Sequence, residues 1–260
     1  MHKETELYIE TECEINDKKE ITKHYPWNAG APGCIREDKV NKTPEEMAKQ
    51  NAWIRARELR RIMELNFCGG DFHVILTCKP ENRPDIKDAL KVIRKFRDKL
   101  RKAYKKQDWI FKYIITTELG ERGAVHWHMI INNMSNDRTS TSKLIHQLWD
   151  RGRPYFVPLD DNREYQKLAE YIIKETSERI AEGKTLEKLS YMCSRNLIRP
   201  VTKTKKVRCR SWRKMPKAPK GWELDIDSLV NGKNKFTGLP YQHYTIRKIF
   251  DSGGKRRCST

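Results

Sequence analysis

No run of residues in this 260-residue chain approaches the roughly 18 consecutive apolar positions that carry a helix across a bilayer. The opening residues, MHKETELYIE, show no apolar secretory core. No membrane partner is expected, and a cytoplasmic setting is. Cysteine pairs are lacking too: Cys13, Cys34, Cys68, Cys78, Cys193, Cys209 and Cys258 are scattered, odd in number and never in a CxxC pair. This argues against a zinc ribbon, a thioredoxin-type redox site and a disulfide framework. Gly183-Lys184-Thr185 lacks the glycine five residues earlier that a phosphate-binding P-loop needs, so no ATPase or helicase module is expected. No repeat of fixed period is visible.

Charge, by contrast, is plentiful. Charged residues make up 34% of the chain and hydrophobic ones 37%, with a formal net charge of +19. Periodic apolar segments persist, so the bulk should fold. Such an excess of cations calls for a polyanionic partner, and without a membrane signal that partner is nucleic acid. The charge is uneven: residues 1–42 hold nine Asp/Glu against seven Lys/Arg, whereas Arg195 to Lys220 holds eleven Lys/Arg and no acid, with Trp212 embedded. The basic run reads as an extended arm. Lys203, Lys205, Lys206, Arg208 and Arg210 would track a DNA backbone and Trp212 would stack on a base, the alternative being a solvated tail.

Residues 7–25 read as a strand pair turning at Asn16-Asp17, followed by a loop from Pro26 to Lys42. Thr43-Pro44-Glu45-Glu46 is a capping box with proline at the first helical position, so a helix should run from Pro44 to about Asn66. DFHVILTC is a strand, and 85–107 repeats apolar residues at helical spacing. WIFKYIITTEL and AVHWHMIIN flank Gly120-Glu121-Arg122-Gly123 as a hairpin. A short helix near 141–149, a strand at 153–157 and a helix from about 161 to 181 complete the order. The expected class is α+β: a ferredoxin-like, split βαβ antiparallel sheet with helices on one face. The expected division is a hairpin and loop over 1–42, a catalytic domain over 43–190 and a basic extension over 191–260.

His126 and His128, two positions apart on a strand, point to one face while Trp127 points to the other. With the turn centred near Arg122, Glu118 falls opposite His126 on that same face. Two imidazoles and a carboxylate would converge there, a donor set for a divalent metal with positions left for water and substrate. Taken alone, a His-x-His pair can equally be two surface or interface histidines. Tyr171 lies on the last of these helices, with Lys167 and Lys174 one turn to either side on nearly the same face. A phenol needs cations or a metal nearby to attack as phenolate near neutral pH. By itself, a tyrosine with a lysine three residues on describes many packing helices.

Together, FHVILTC, KYIITTELGERGAVHWHMIIN and EYIIKE resemble the three motifs of HUH-type rolling-circle replication initiators, the replication-associated proteins of Gram-positive plasmids, integrative elements and phages. SYMCSRNLIRP, KGWELD and TGLPYQHY look like the family's C-terminal region. The resemblance implies that Glu118, His126 and His128 bind Mg²⁺ or Mn²⁺. It implies that Tyr171, with Lys174 as the helix-borne lysine, forms a 5′-phosphotyrosine on single-stranded or hairpin origin DNA, freeing a 3′-OH for a host polymerase and helicase. Position 175 is Glu, so a single-tyrosine enzyme is implied. The rival expectations are a transposase or relaxase of the same chemistry, and a non-catalytic nucleic-acid-binding protein. An oxygenase with two histidines and one carboxylate is disfavoured by the spacing.

Overall fold

The computed structural model describes residues 7–26, 42–120, 124–162, 164–181 and 191–250. In chain order the elements are β1 (Leu7–Ile15), β2 (Lys18–His24), α1 (Pro44–Asn66), β3 (Phe72–Leu76), α2 (Ile86–Lys106), β4 (Tyr113–Leu119) and β5 (Val125–Ile131). They continue with α3 (Thr141–Leu148), β6 (Tyr155–Pro158), α4 (Gln166–Ala181), β7 (Met192–Cys193), β8 (Val201–Arg208), β9 (Trp222–Lys233) and β10 (Pro240–Lys248). The class is mixed α+β with two antiparallel five-stranded sheets.

Local chemistry sets the boundaries. The capping box forms at α1: Glu46 N–H donates to Thr43 Oγ1 at 3.2 Å and Thr43 N–H to Glu46 Oε2 at 3.1 Å. β4 begins later than the apolar run suggested, because Asp108 takes φ 54° and Trp109 packs edge-on against Tyr104 instead of pairing. α4 begins at Gln166 and not near Asp161. Asn162 Oδ1 accepts from Glu164 N–H at 3.0 Å, a local bond that competes with a helical turn. Residues 121–123 of the expected tight turn, and most of the 26–42 loop, lie outside the described residues.

One compact unit spans 50–198. Its sheet runs β6-β3-β5-β4-β7. The odd-numbered residues of β5, Val125, Trp127, Met129 and Ile131, join Ala89, Ile93, Phe96, Leu100 and Tyr104 of α2 and Leu144 and Ile145 of α3 in one core. The expectation of helices on a single face is corrected here. Leu59, Ile62 and Met63 of α1 and Ala169, Ile172 and Ile173 of α4 cluster with Ile114 and Ile130 on the opposite face. The reason is visible in YIITTEL and VHWHMII, which carry apolar residues on both faces at one end and so need cover on both.

The other unit joins residues 1–49 with 199–260. Its sheet runs β8-β1-β2-β10-β9, so the N-terminal hairpin and the chain after Arg199, expected as separate pieces, hydrogen-bond into one sheet. The stretch expected as an extended arm contributes β8, which pairs with the acidic β1. Lys203 lies opposite Glu12 and Lys205 opposite Glu10, with Lys205 Nζ 2.8 Å from Glu10. Opposite charges facing across two strands favour that register.

Trp127 is fully buried, stacks edge-on against Trp149 at 5.4 Å, and its indole Nε1 has no hydrogen-bond partner. Trp127→Ala is expected to destabilise the protein by about 3–5 kcal/mol, and Trp127→Phe by less, since it keeps a ring and removes a buried, unpaired N–H. Urea unfolding checks both; a loss under about 1 kcal/mol for Trp127→Ala would mean that the core is not built around this ring.

Candidate functional site

The face of the central sheet turned away from α2 is built by alternation. If Trp127 and Met129 fill the core, His126, His128 and Ile130 must point to the other side. Register then decides which neighbours meet them. Glu118 pairs directly with His126, and Thr116 with His128, on β4. On β3, Ile75 pairs with His128 and His73 with Ile130, which makes His73 a diagonal neighbour of His128.

The side chains follow this register. His128, buried, uses both ring nitrogens: Nε2 meets Glu118 Oε2 at 2.5 Å and Nδ1 meets His73 Nε2 at 3.0 Å. Glu118 is partly exposed and opens the row to solvent. His126, half-buried, lies over Gly120; a Cβ there would sit 3.2 Å from the His126 Nε2, so glycine leaves room for the imidazole. Tyr171 reaches the same face from α4, where Ile172 and Ile173 anchor the helix to Ile114 and Ile130. Its ring stands edge-on to His128 with centroids 5.5 Å apart, and it remains 43% exposed. Lys167 and Lys174 are exposed on α4.

His73 is the residue that sequence reasoning missed. It sits inside FHVILTC, and its signal was available only through the β3–β5 register. Burial, and then the neighbouring His128, pushes its pKa from 6.5 down to about 4. It is therefore neutral near pH 7 and supplies one end of a Glu118–His128–His73 chain of hydrogen bonds, which fixes the orientation of the His128 ring. Among the described residues no group of three or more His, Cys, Asp and Glu is arranged to hold a metal ion.

The other residues singled out by charge belong to the second unit. Lys203, Lys205, Lys206 and Arg208 lie exposed on β8, and Lys205 is paired with Glu10. Arg210 is exposed, and its carbonyl accepts from the Tyr25 hydroxyl. Trp212 is not splayed for stacking. It is half-buried, packed on Tyr25 with centroids 4.9 Å apart and edge-on to Tyr8 at 5.2 Å.

Comparison with known proteins bears on the first unit. Residues 71–179 match the family model of a replication-associated protein of the ORF2 type. The chain thus carries a replication-associated domain over less than half its length, and that span contains His73, Glu118, His126, His128 and Tyr171. Comparisons with curated proteins and with solved structures gave no match.

The buried, neutral His73 predicts a pH dependence. A histidine whose folded pKa lies below its unfolded value leaves stability intact above about pH 6.5 and removes it as the pH falls toward 4, by about 1.4 kcal/mol per pH unit of that interval. Urea unfolding in chelator at pH 7 and pH 5 should show a loss, and His73→Gln should flatten it. An unchanged slope in the variant would place the acid sensitivity elsewhere.

Proposed function

We propose that the chain is a rolling-circle replication initiator, which nicks and rejoins single-stranded or hairpin DNA through a 5′-phosphotyrosine on Tyr171. The observation that carries this is the approach of the Tyr171 ring to His128, on the sheet face that also bears Glu118 and His126. Support comes from the replication-associated match over the same residues and from the net charge of +19. The strand order β6-β3-β5-β4, with α2 and α3 as crossovers, is read as the ferredoxin-like arrangement of that enzyme class.

In this reading the Tyr171 oxygen bonds to phosphorus as the bond to the 3′ oxygen breaks. The phenolic proton leaves, and the departing oxygen takes up a proton as a free 3′-OH. One phosphoester replaces another, so the bond energy is kept for rejoining. Lys174 and Lys167, one turn to either side of Tyr171, favour the phenolate and steady the incoming phosphate. The site is half-open, as a nucleic acid strand requires, and the α1/α4 core holds the tyrosine on a rigid helix.

The donor set of Glu118, His126 and His128 suits Mg²⁺ or Mn²⁺ in kind, and such an ion, when bound, supplies charge neutralisation on the non-bridging oxygens. The Glu118–His128 hydrogen bond is what it would replace, with release of the shared proton. His73 would go on holding Nδ1 of His128 as an orienting partner. A non-catalytic nucleic-acid-binding protein is the second reading, favoured by the engagement of both His128 nitrogens.

The test is a covalent trap. Random single-stranded oligonucleotides incubated with the protein and Mn²⁺ should give an adduct that survives a denaturing gel, and Tyr171→Phe should give none while still binding DNA and Mn²⁺. Tyr165→Phe and Tyr191→Phe should keep it. By electron paramagnetic resonance, His73→Ala should weaken Mn²⁺ binding by about 10–100-fold. No adduct from the wild-type protein, or an adduct retained by Tyr171→Phe, overturns the assignment.

A further inference from the structure

α2 packs on the sheet face opposite the histidines, and it is the most cationic element of the chain: ten Lys/Arg and two Asp in 21 residues. Its apolar stripe, Ala89, Ile93, Phe96, Leu100 and Tyr104, is taken up by the core. What remains outward is charge. Lys87, Lys91, Lys95, Lys99, Lys102 and Lys106 follow one another every three or four residues along one flank and are all exposed. At about 1.5 Å of rise per residue they form a straight row of roughly 28 Å.

Folding does not account for this row. Like charges four residues apart on a helix repel and weaken it. Of the two aspartates, Asp98 is already engaged by Arg97 and Arg101. Lys99 reaches Asp150 at 3.8 Å, whereas among the described residues Lys87, Lys91, Lys95 and Lys102 pair with no carboxylate. Beside the row a groove of about 540 Å³ adds Arg151 to Lys91, Lys95 and Lys99. The lysines of β8, in contrast, lie beside the glutamates of β1.

We infer that the exposed flank of α2 is a docking surface for the phosphate backbone of duplex DNA, separate from the face that carries Tyr171. Three features select this occupant. The row is long, straight and of one sign, which matches a duplex with one negative charge per about 1.7 Å of axis. A single strand calls for aromatic platforms, and the only aromatic residues of α2, Phe96 and Tyr104, are buried. A lipid surface would need the apolar stripe, which the core already occupies. The contact is sequence-independent, since no element of the row is aimed at base edges. This inference rests on the nicking reading for one thing, that the polyanion is DNA: the surface would hold the duplex flanking a locally single-stranded site, leaving the opposite face for the strand to be cut.

The experiment compares the full chain with a variant carrying Lys87→Gln, Lys91→Gln, Lys95→Gln and Lys102→Gln, and with the same four positions changed to Arg. Fluorescence anisotropy reads the affinity for a 25-base-pair duplex across a salt series, and the covalent trap on a short single strand is run in parallel. The glutamine variant should bind duplex about tenfold or more weakly, with a salt slope reduced by roughly 0.9 for each phosphate no longer neutralised, and the arginine variant should bind as the parent does. Adduct yield on the short strand should be unchanged in both. Unchanged duplex affinity and slope in the glutamine variant overturns the inference, as does an equal loss of single-strand binding. Failure of the nicking reading looks different: no protein forms adduct, while the duplex data still decide the role of α2.

Discussion

Strand β5 lies between β3 and β4, and its period-two alternation is the constraint from which the rest of the 50–198 unit follows. Val125, Trp127, Met129 and Ile131 can only be buried together, and burying them commits His126 and His128 to the other side. A slip of one residue would place both imidazoles in the α2 core and Trp127 against Tyr171. Core burial therefore guards the register of the polar face, at a cost of several kcal/mol for any slipped pairing. The same alternation puts Glu118 beside His126 and His73 beside His128, so the polar row on this face is a by-product of how the hydrophobic face packs.

Elements defined by local signals were legible in the sequence. The capping box and the glycine pair that follows Cys68 placed the ends of α1, and the spacing around Gly120 placed Glu118 across from His126. What was not legible depends on long-range pairing. The β8–β1 and β10–β2 ladders join the two ends of the chain, and nothing local in TELYIETECEI or VTKTKKVR names its partner, so the C-terminal run reads as an arm. Periodicity told which residues of α1 and α4 are apolar, but not that they cover the second face of the sheet. His73 escaped for the same reason: alone it is one histidine in a strand, and it acquires meaning only beside His128. Trp212 shows the converse, an aromatic in a basic run whose ring is taken up by Tyr8 and Tyr25.

The two units handle charge differently. In the terminal unit the lysines of β8 run beside the glutamates of β1, and Lys23 lies 3.6 Å from Glu10, so much of its charge is balanced internally. In the central unit α2 keeps its cations outward with few acids near. Counting basic residues along the sequence therefore pointed to the segment richest in cations, whereas the outward field depends on which of them already face an acid across a strand.

His128 makes the argument about the polar face a matter of chemistry as well as geometry. A histidine with both nitrogens engaged cannot rotate, and the bond to Glu118 holds a proton where two of the proposed metal donors meet. Exchange of that proton for a divalent cation needs no movement of the backbone, because Glu118 and His126 already face each other across the ladder and His73 already orients the ring. The rigid partners are then those in the sheet. Tyr171, 43% exposed on α4 and edge-on to His128, is the member of the group with room to follow a phosphate. A nucleophile that must release its product and later attack again is better placed on such a helix than in the ladder, where each side chain is fixed by its neighbours.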